Sequence, residues 1–293
     1  MMNNDRENTV ERLNCWQQPI RCEAMEGGIT NHNFRVEHGN ELFFVRLGVD
    51  IPEHGVYRFN ELAASQAAFS CGISPEVVHV ESGAMVLRFI EGKTLEPENL
   101  RDHSTIQKVV SLLKKCHLEM PQNLPGSTLI LWVFQVIRGY AKTMREGQSR
   151  MIPELSRFME INRQLEKTVG AVEIHFGHND LLAGNFINDG QRLWLIDWDY
   201  AGFNSPLFDL ANLASNNEYA EILERLLLAS YFEQDPTEDL WKRYFAMKCA
   251  SLLREAMWSM VSEIHSTLDF DYVQYTTEYL DSFEKTYAQF EKL

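Results

Sequence analysis

Asp180, Asn185 five residues later and Asp197 twelve beyond that fall within one short segment, His175 to Asp199. It reads His-Phe-Gly-His-Asn-Asp-Leu-Leu-Ala-Gly-Asn-Phe-Ile-Asn-Asp-Gly-Gln-Arg-Leu-Trp-Leu-Ile-Asp-Trp-Asp. Asp180 offers a carboxylate to take or orient the proton of an attacking hydroxyl. Asn185 and Asp197 offer the hard oxygen ligands that magnesium prefers. A single Asp or Asn in a loop more often caps a helix or closes a turn. The set at this spacing points instead to phosphoryl transfer from a nucleotide, where a protein mainly positions groups and neutralises charge. His178 reads as a residue that orients the loop by hydrogen bonding, and His175 as structural. Asp199 shares a face with Asp197 if the strand continues, either helping to hold a second metal or standing as a solvated acid.

Such chemistry needs a cradle for phosphates and a cation beside them. Gly27-Gly28-Ile29-Thr30-Asn31 lies between the first two expected strands. Its glycines permit close backbone approach and its amides are free to face phosphates, although paired glycines also mark ordinary turns. Arg46 ends the third strand and Glu61 falls in the next helix. There the arginine's planar fork can hold both phosphate oxygens and the glutamate; the plain alternative is a surface ion pair.

A second cluster lies near the C-terminus: Trp241, Tyr244, Phe245, Trp258, Phe270, Tyr272 and Tyr275, interleaved with Glu255, Glu263, Asp269 and Asp271. Rings at helical spacing are normally core. In Asp269-Phe-Asp-Tyr-Val-Gln-Tyr275, however, rings and acids meet where a loop is expected, a combination that suits an ammonium ion, worth about 2 kcal/mol over a desolvated ring face.

These groups require a scaffold. The run Arg21 to Arg46 alternates and turns at Gly27-Gly28 and His38-Gly39-Asn40, predicting three antiparallel strands after an opening helix around Val10 to Trp16. Asn60 to Phe69 predicts a helix stopped at Gly72. Val77 to Val80 and Met85 to Ile90 predict a second hairpin, making a small lobe of five strands around one helix. At Glu91-Gly92-Lys93 the pattern changes. Ile106, Val109, Val110, Leu113 and Cys116 keep helical spacing, Leu129 to Met144 and Ile152 to Thr168 predict further helices, and the chain from Glu218 onward reads as almost wholly helical. The expected architecture is an α+β fold of two lobes, an antiparallel-sheet lobe over residues 1–91 and a larger helical lobe over 92–293.

The chain has 293 residues and a formal net charge of -15. That charge disfavours nucleic acid and anionic membranes as partners and tolerates a cationic small substrate. Its five cysteines are scattered without a Cys-x-x-Cys pair, as expected of free thiols in a reducing compartment. The polar start, with no apolar segment of spanning length, makes the cytoplasm the expected location. A homodimer is left open.

The residues resemble the choline/ethanolamine kinases within the aminoglycoside-phosphotransferase-like, protein-kinase-like superfamily. The resemblance is carried by Gly27-Gly28-Ile29-Thr30-Asn31; Val45-Arg46-Leu47-Gly48 with Arg58 and Glu61; Arg88-Phe89-Ile90-Glu91-Gly92; His178 to Asn185; Leu195 to Gly202; and Phe208-Asp209-Leu210-Ala211-Asn212, with Trp258 and Phe270 to Tyr275 extending it. It implies ATP and magnesium as cofactors, Asp180 as the base, and Asn185 and Asp197 as magnesium ligands. Gly27, Gly28, Asn31, Arg46 and Glu61 would serve the nucleotide phosphates, and Phe89-Ile90 would be the adenine-facing hinge. Trp258, Tyr272 and Tyr275 look like the family's choline-pocket aromatics; Asp180, Asp199 and Glu255 are grouped with them on the substrate. Asp209 resembles a residue that buttresses the catalytic loop. One departure stands out: where the family often has Trp-x-x-Trp ending at Trp258, this chain has Glu255, which favours a primary amine or another cation. The expected reaction is phosphorylation of an amino alcohol, choline first and ethanolamine second. Thiamine, aminoglycoside or sugar phosphorylation on the same scaffold, and a catalytically silent nucleotide-binding protein, are the alternatives.

Overall fold

The computed structural model describes residues 3–25 and 31–293. The chain opens with helix α1 (Asn3–Glu11) and strands β1 (Arg21–Met25), β2 (His32–His38) and β3 (Glu41–Leu47), followed by α2 (Arg58–Ser70), β4 (Val77–Glu81) and β5 (Ala84–Arg88). These strands form one antiparallel sheet in the order β1-β2-β3-β5-β4. Alternation builds it: Phe34, Val36, Phe43 and Val45 turn one way into a small core with Val10, Leu13 and Val86. The opening helix was expected over Val10 to Trp16 and instead ends at Glu11. Beyond it the chain folds back so that the Trp16 indole donates to the Val10 carbonyl (2.7 Å) and packs against Phe43, covering the sheet.

The rest is mostly helical: β6 (Lys93–Thr94), α3 (Pro97–Leu100), α4 (His103–Leu118), α5 (Val133–Glu146), α6 (Leu155–Val169), β7 (His175–Gly177), β8 (Phe186–Asn188), β9 (Leu193–Leu195), β10 (Gly202–Asn204), α7 (Pro206–Asn216), α8 (Glu221–Phe232), α9 (Glu238–His265) and α10 (Tyr272–Phe290). Helix α5 starts later than its apolar pattern suggests, because Leu129 and Leu131 exchange backbone hydrogen bonds with Phe203 of β10. The 28-residue α9 is the axis of the large core, buried along most of its length from Trp241 to Ser262. Helix α2 sends Ala64, Ala67 and Ala68 into that same core rather than the sheet's own. It therefore ties the sheet to the helical region. All five cysteines are free thiols, and no helix among the described residues is long and apolar enough to cross a membrane.

Candidate active site

Strands β7 and β10 pair antiparallel, Gly177 opposite Gly202, and the loop carrying Asp180 leaves from Gly177. Gly177 is closely packed: a Cβ there would stand 3.1 Å from both the Asp209 carboxylate and the Asn179 side chain, which would have to give by a few tenths of an ångström. Asp209, in the first turn of α7 and 1 % exposed, accepts from the backbone N–H of His178 (2.8 Å), that of Asn179 (2.7 Å) and His117 Nε2 (2.9 Å). Burial works to raise its pKa, but the hydrogen bond from His117 and the backbone N–H of His178 hold it below the ordinary carboxylate range. His178 donates from Nε2 to the Ile196 carbonyl (2.9 Å) and accepts at Nδ1 from the Asp180 N–H (3.3 Å). Both ring nitrogens are thus engaged by a neutral imidazole, and burial lowers its pKa accordingly.

Asn179 holds the left-handed conformation (φ 67°), as does Asp197 (φ 70°), a region that Asn and Asp tolerate better than other side chains. The Asn179 amide donates to the carbonyls of Tyr200 (3.0 Å) and Gly202 (3.1 Å), which locks the turn before Asp180. Asn185 donates to the Asp180 carbonyl (2.8 Å), and Asn212 accepts from the Leu181 N–H (2.6 Å). Among the described residues, the Asp180 carboxylate itself receives no hydrogen bond from a protein donor. Burial pushes its pKa up; Arg254 opposes that rise, while Glu255, Asp197 and Asp199 add to it.

Arg46 of β3 reaches Glu61 of α2 (2.7 Å) and Asp197 (2.8 Å), with Asp199 at 3.3 Å. Arg58 pairs with Glu61 (2.6 Å) and Asp199 (2.9 Å). Although burial pushes the Asp197 carboxyl up, Arg46 holds it below the ordinary range. Two donors in this cluster, Arg46 Nε and Arg58 Nη2, are buried without an acceptor among the described residues. Asn185 Oδ1 and Asp197 Oδ2 likewise carry no hydrogen bond there, since Asn185 uses its NH2 and Asp197 its other oxygen. An amide oxygen and a carboxylate oxygen make a donor set that fits magnesium.

Two expectations change. Strand β9 ends at Leu195, so Asp197 lies beyond it in left-handed backbone rather than on a continuing strand face with Asp199. Asp199, grouped by sequence with the substrate, instead lies between Arg46, Arg58 and the Asn31 amide (2.9 Å), in the arginine cluster. Gly27 and Gly28 lie outside the described residues. Phe89 and Ile90 stand where the sheet joins the helical region and line a cavity of about 300 Å3 with Phe69, Pro75 and Trp194. Phe69 is two turns of α2 away from Glu61, so this cavity lies well clear of the arginine cluster. A larger cavity, about 750 Å3, lies between α8, α9 and the end of α10; it takes Trp241 and Phe245 from the C-terminal aromatic cluster, away from Trp258, and includes none of the residues expected to contact nucleotide, metal or substrate.

The aromatic end does assemble. The Trp258 ring meets Tyr272 and Tyr275 edge-on at 6.0 and 5.8 Å between centres, and Phe270 lies 4.9 and 5.6 Å from the same tyrosines. Trp258 and Tyr272 are only 5 % and 7 % exposed, whereas Tyr275 is half-buried and Phe270 exposed. Glu255 Oε1 accepts from the Tyr275 hydroxyl (2.9 Å), and Trp258 Nε1 donates to the Tyr200 hydroxyl (2.9 Å).

Three participants escaped the sequence reading. Tyr200 supports Trp258. His54, from the β3–α2 connection, lies 5.3 Å from the Trp258 ring and hydrogen-bonds Ser262 (3.0 Å). Arg254 is fully buried and donates to the Asn179 carbonyl (2.9 Å). Only Arg254 left a readable signal, an arginine-glutamate pair inside the apolar run from Ala246 to Val261.

Residues 22–225 match the choline/ethanolamine kinase family. A probable ethanolamine kinase of Arabidopsis thaliana is 27 % identical, over 86 % of this chain and 76 % of that one. Protein LicA of Haemophilus influenzae is 26 % identical, over 84 % and 75 %. Among solved structures, a choline/ethanolamine kinase family protein from Mesorhizobium loti superposes with a TM-score of 0.76 at 23 % identity, covering 98 % of this chain and 95 % of its own. Spectinomycin phosphotransferase reaches 0.59 at 14 % identity, covering 95 % of each chain. With more than half its length matched, the chain belongs to the choline/ethanolamine kinase family, two-lobed nucleotide-binding phosphotransferases that act on an alcohol group.

Proposed function

We propose that the protein transfers the γ-phosphoryl group of ATP, with magnesium, to the hydroxyl of a small amino alcohol, ethanolamine ahead of choline. Asp180 is the base that orients and accepts the hydroxyl proton; its lack of donors leaves the carboxylate free for that role. Asn185 and Asp197 hold magnesium, which when bound neutralises charge on the phosphates. The unmatched N–H groups of Arg46 and Arg58 suit phosphate oxygens, and Glu61 aims both arginines. Gly27, Gly28 and Asn31 cover the phosphates, while Phe89 and Ile90 border the adenine. On this reading residues 1–91 form the nucleotide lobe and 92–293 the catalytic lobe, working in the cytoplasm where ATP is supplied.

The observation that carries the acceptor is the position of Glu255. Arg254 bridges Glu255 and the catalytic loop, donating to Glu255 Oε2 (2.6 Å) and to the carbonyl of Asn179 (2.9 Å), the residue before Asp180, so the amine-side carboxylate lies beside that loop. A primary ammonium brings N–H donors that must find acceptors once desolvated, and Glu255 beside the Tyr275 hydroxyl supplies them. A quaternary ammonium brings none.

The test is ATP consumption against ethanolamine, choline, thiamine, aminoglycosides and simple sugars, with and without magnesium. Magnesium-dependent turnover with the highest kcat/KM for ethanolamine is expected. Turnover of an aminoglycoside or sugar in its place, or nucleotide binding without any turnover, overturns the reading.

A further inference from the structure

Arg254 lies mid-way along α9 and is 2 % exposed. A guanidinium taken out of water is costly unless its donors are matched. Here Nη1 donates to Glu255 Oε2 (2.6 Å), Nη2 donates to the Asn179 carbonyl (2.9 Å), and the group stands 5.1 Å from the centre of the Tyr200 ring. Each partner serves a different part of the site. Asn179 immediately precedes Asp180, Glu255 also accepts from the Tyr275 hydroxyl, and Tyr200 accepts from Trp258. One side chain therefore touches the catalytic loop and both supports of the amine-side aromatics.

The Asn179 conformation explains why the loop needs such a contact. Left-handed backbone at a non-glycine residue costs on the order of 1 kcal/mol and persists only where its surroundings hold it. Asp209 holds the Asn179 N–H (2.7 Å), and the carbonyls of Tyr200 and Gly202 hold its side chain. The remaining group, its own carbonyl, belongs to the peptide that leads into Asp180, and Arg254 holds it.

We propose that Arg254 is a positioning residue that fixes the Asn179–Asp180 peptide and, through Glu255, couples filling of the amine pocket to the aim of Asp180. The inference rests on the amino-alcohol kinase reading above. It differs from a purely structural role in linking two kinetic parameters through one ion pair.

The experiment measures kcat and KM for ethanolamine and for ATP in the wild type, Arg254→Gln, Arg254→Lys, Glu255→Gln and the Arg254→Gln/Glu255→Gln double variant, each checked for folding by thermal denaturation. Loss of the loop contact should lower kcat in Arg254→Gln by about 100-fold, the cost of a misplacement near 1 Å, with KM for ATP unchanged. Glu255→Gln should raise KM for ethanolamine and lower kcat. In the double variant kcat should fall no further than in Arg254→Gln, because both substitutions break one link. Arg254→Lys keeps the charge without the planar fork, so it should recover only part of the rate. Wild-type kcat in Arg254→Gln or in Arg254→Lys overturns the proposal, as do single losses that multiply in the double variant; if Arg254→Gln does not fold, Arg254→Lys decides. A wild type that turns over no amino alcohol overturns the proposed function, and this inference with it.

Discussion

In the loop from Gly177 to Asn185, polar side chains are spent on backbone. Asp209 takes two N–H groups, Asn179 two carbonyls at close range, and Asn185 and Asn212 one backbone group each. At the junction of α9 and α10 the arrangement is the reverse: side chains lean on side chains, ring edge against ring face, with Tyr200 and Glu255 supplying the polar contacts. The first construction fixes one carboxylate in one direction. The second makes a surface whose shape depends on several distant segments at once. Two buried carboxylates show what each achieves. Asp209, surrounded by donors, is held ionised; Asp180, given none, is pushed toward protonation and left available for chemistry.

The largest effect should come from erasing that difference at its sharpest point. Asp180→Asn keeps the shape and removes the proposed base, and kcat should fall about 1,000-fold, within the span that general base catalysis contributes. The same change should leave the fold intact and stabilise it at alkaline pH. The unfolded carboxyl ionises near 3.8 while the folded one keeps its proton up to about 8, so between those values the wild type loses stability as pH rises, and above them the penalty is constant. The denaturation midpoint of Asp180→Asn should therefore gain on the wild type's from about pH 4 to 8 and keep that lead above it. Undiminished phosphoryl transfer in Asp180→Asn would mean that the hydrogen-bonded loop does not aim the catalytic group.

At the aromatic end the expected effect is smaller and falls on binding. Trp258→Ala removes the ring that Tyr200, Tyr272, Tyr275 and His54 all touch. Losing about 2 kcal/mol of cation–ring attraction should raise KM for the amino alcohol about 30-fold while KM for ATP changes little. Steady-state kinetics with each substrate varied in turn make the measurement. Equal rises in both would show that the two regions do not divide the work.

The two regions also differ in how far the sequence reveals them. The loop is legible because its chemistry is local: Asp180, Asn185 and Asp197 lie within one short segment, and spacing alone restricts what they can do. The sheet is legible for the same reason, since alternation in Phe34 to Val36 and Phe43 to Val45 is the physical cause of its buried face. What spacing cannot carry is set by distant contacts. The strand that would align Asp199 with Asp197 stops at Leu195, Asp197 follows in left-handed backbone, and Asp199 goes to two arginines from β3 and α2. Likewise α2 reads as part of a small lobe, yet its alanines are small enough to let the large core close against it. Arg254 shows in the sequence as a charge within a buried helix and His54 not at all, and nothing near either names Asn179 or Trp258 as a partner.

His54 gives the smallest predicted effect and bears on the acceptor end alone. It comes from the sheet side of the molecule, its Nε2 meets Ser262 (3.0 Å) and its Nδ1 lies 3.4 Å from the Tyr140 hydroxyl. Burial, then the charges of Arg254 and His265, lower its pKa from 6.5 to about 3. On acidification the unfolded chain takes up a proton at this histidine first, while the folded one takes it up only near the lowered value. Between the two values the unfolded state binds more protons, so this site's contribution to stability falls as pH falls, by at most about 1.4 kcal/mol per pH unit. His54→Gln has no such proton to gain. Its unfolding free energy should therefore fall less steeply than the wild type's as pH drops from roughly 6 to 4, although loss of the ring contact lowers its stability at neutral pH. Parallel slopes in urea titrations across that range would mean that the histidine behind Trp258 is not held neutral by its surroundings. The aromatic end would then depend on its own helices alone.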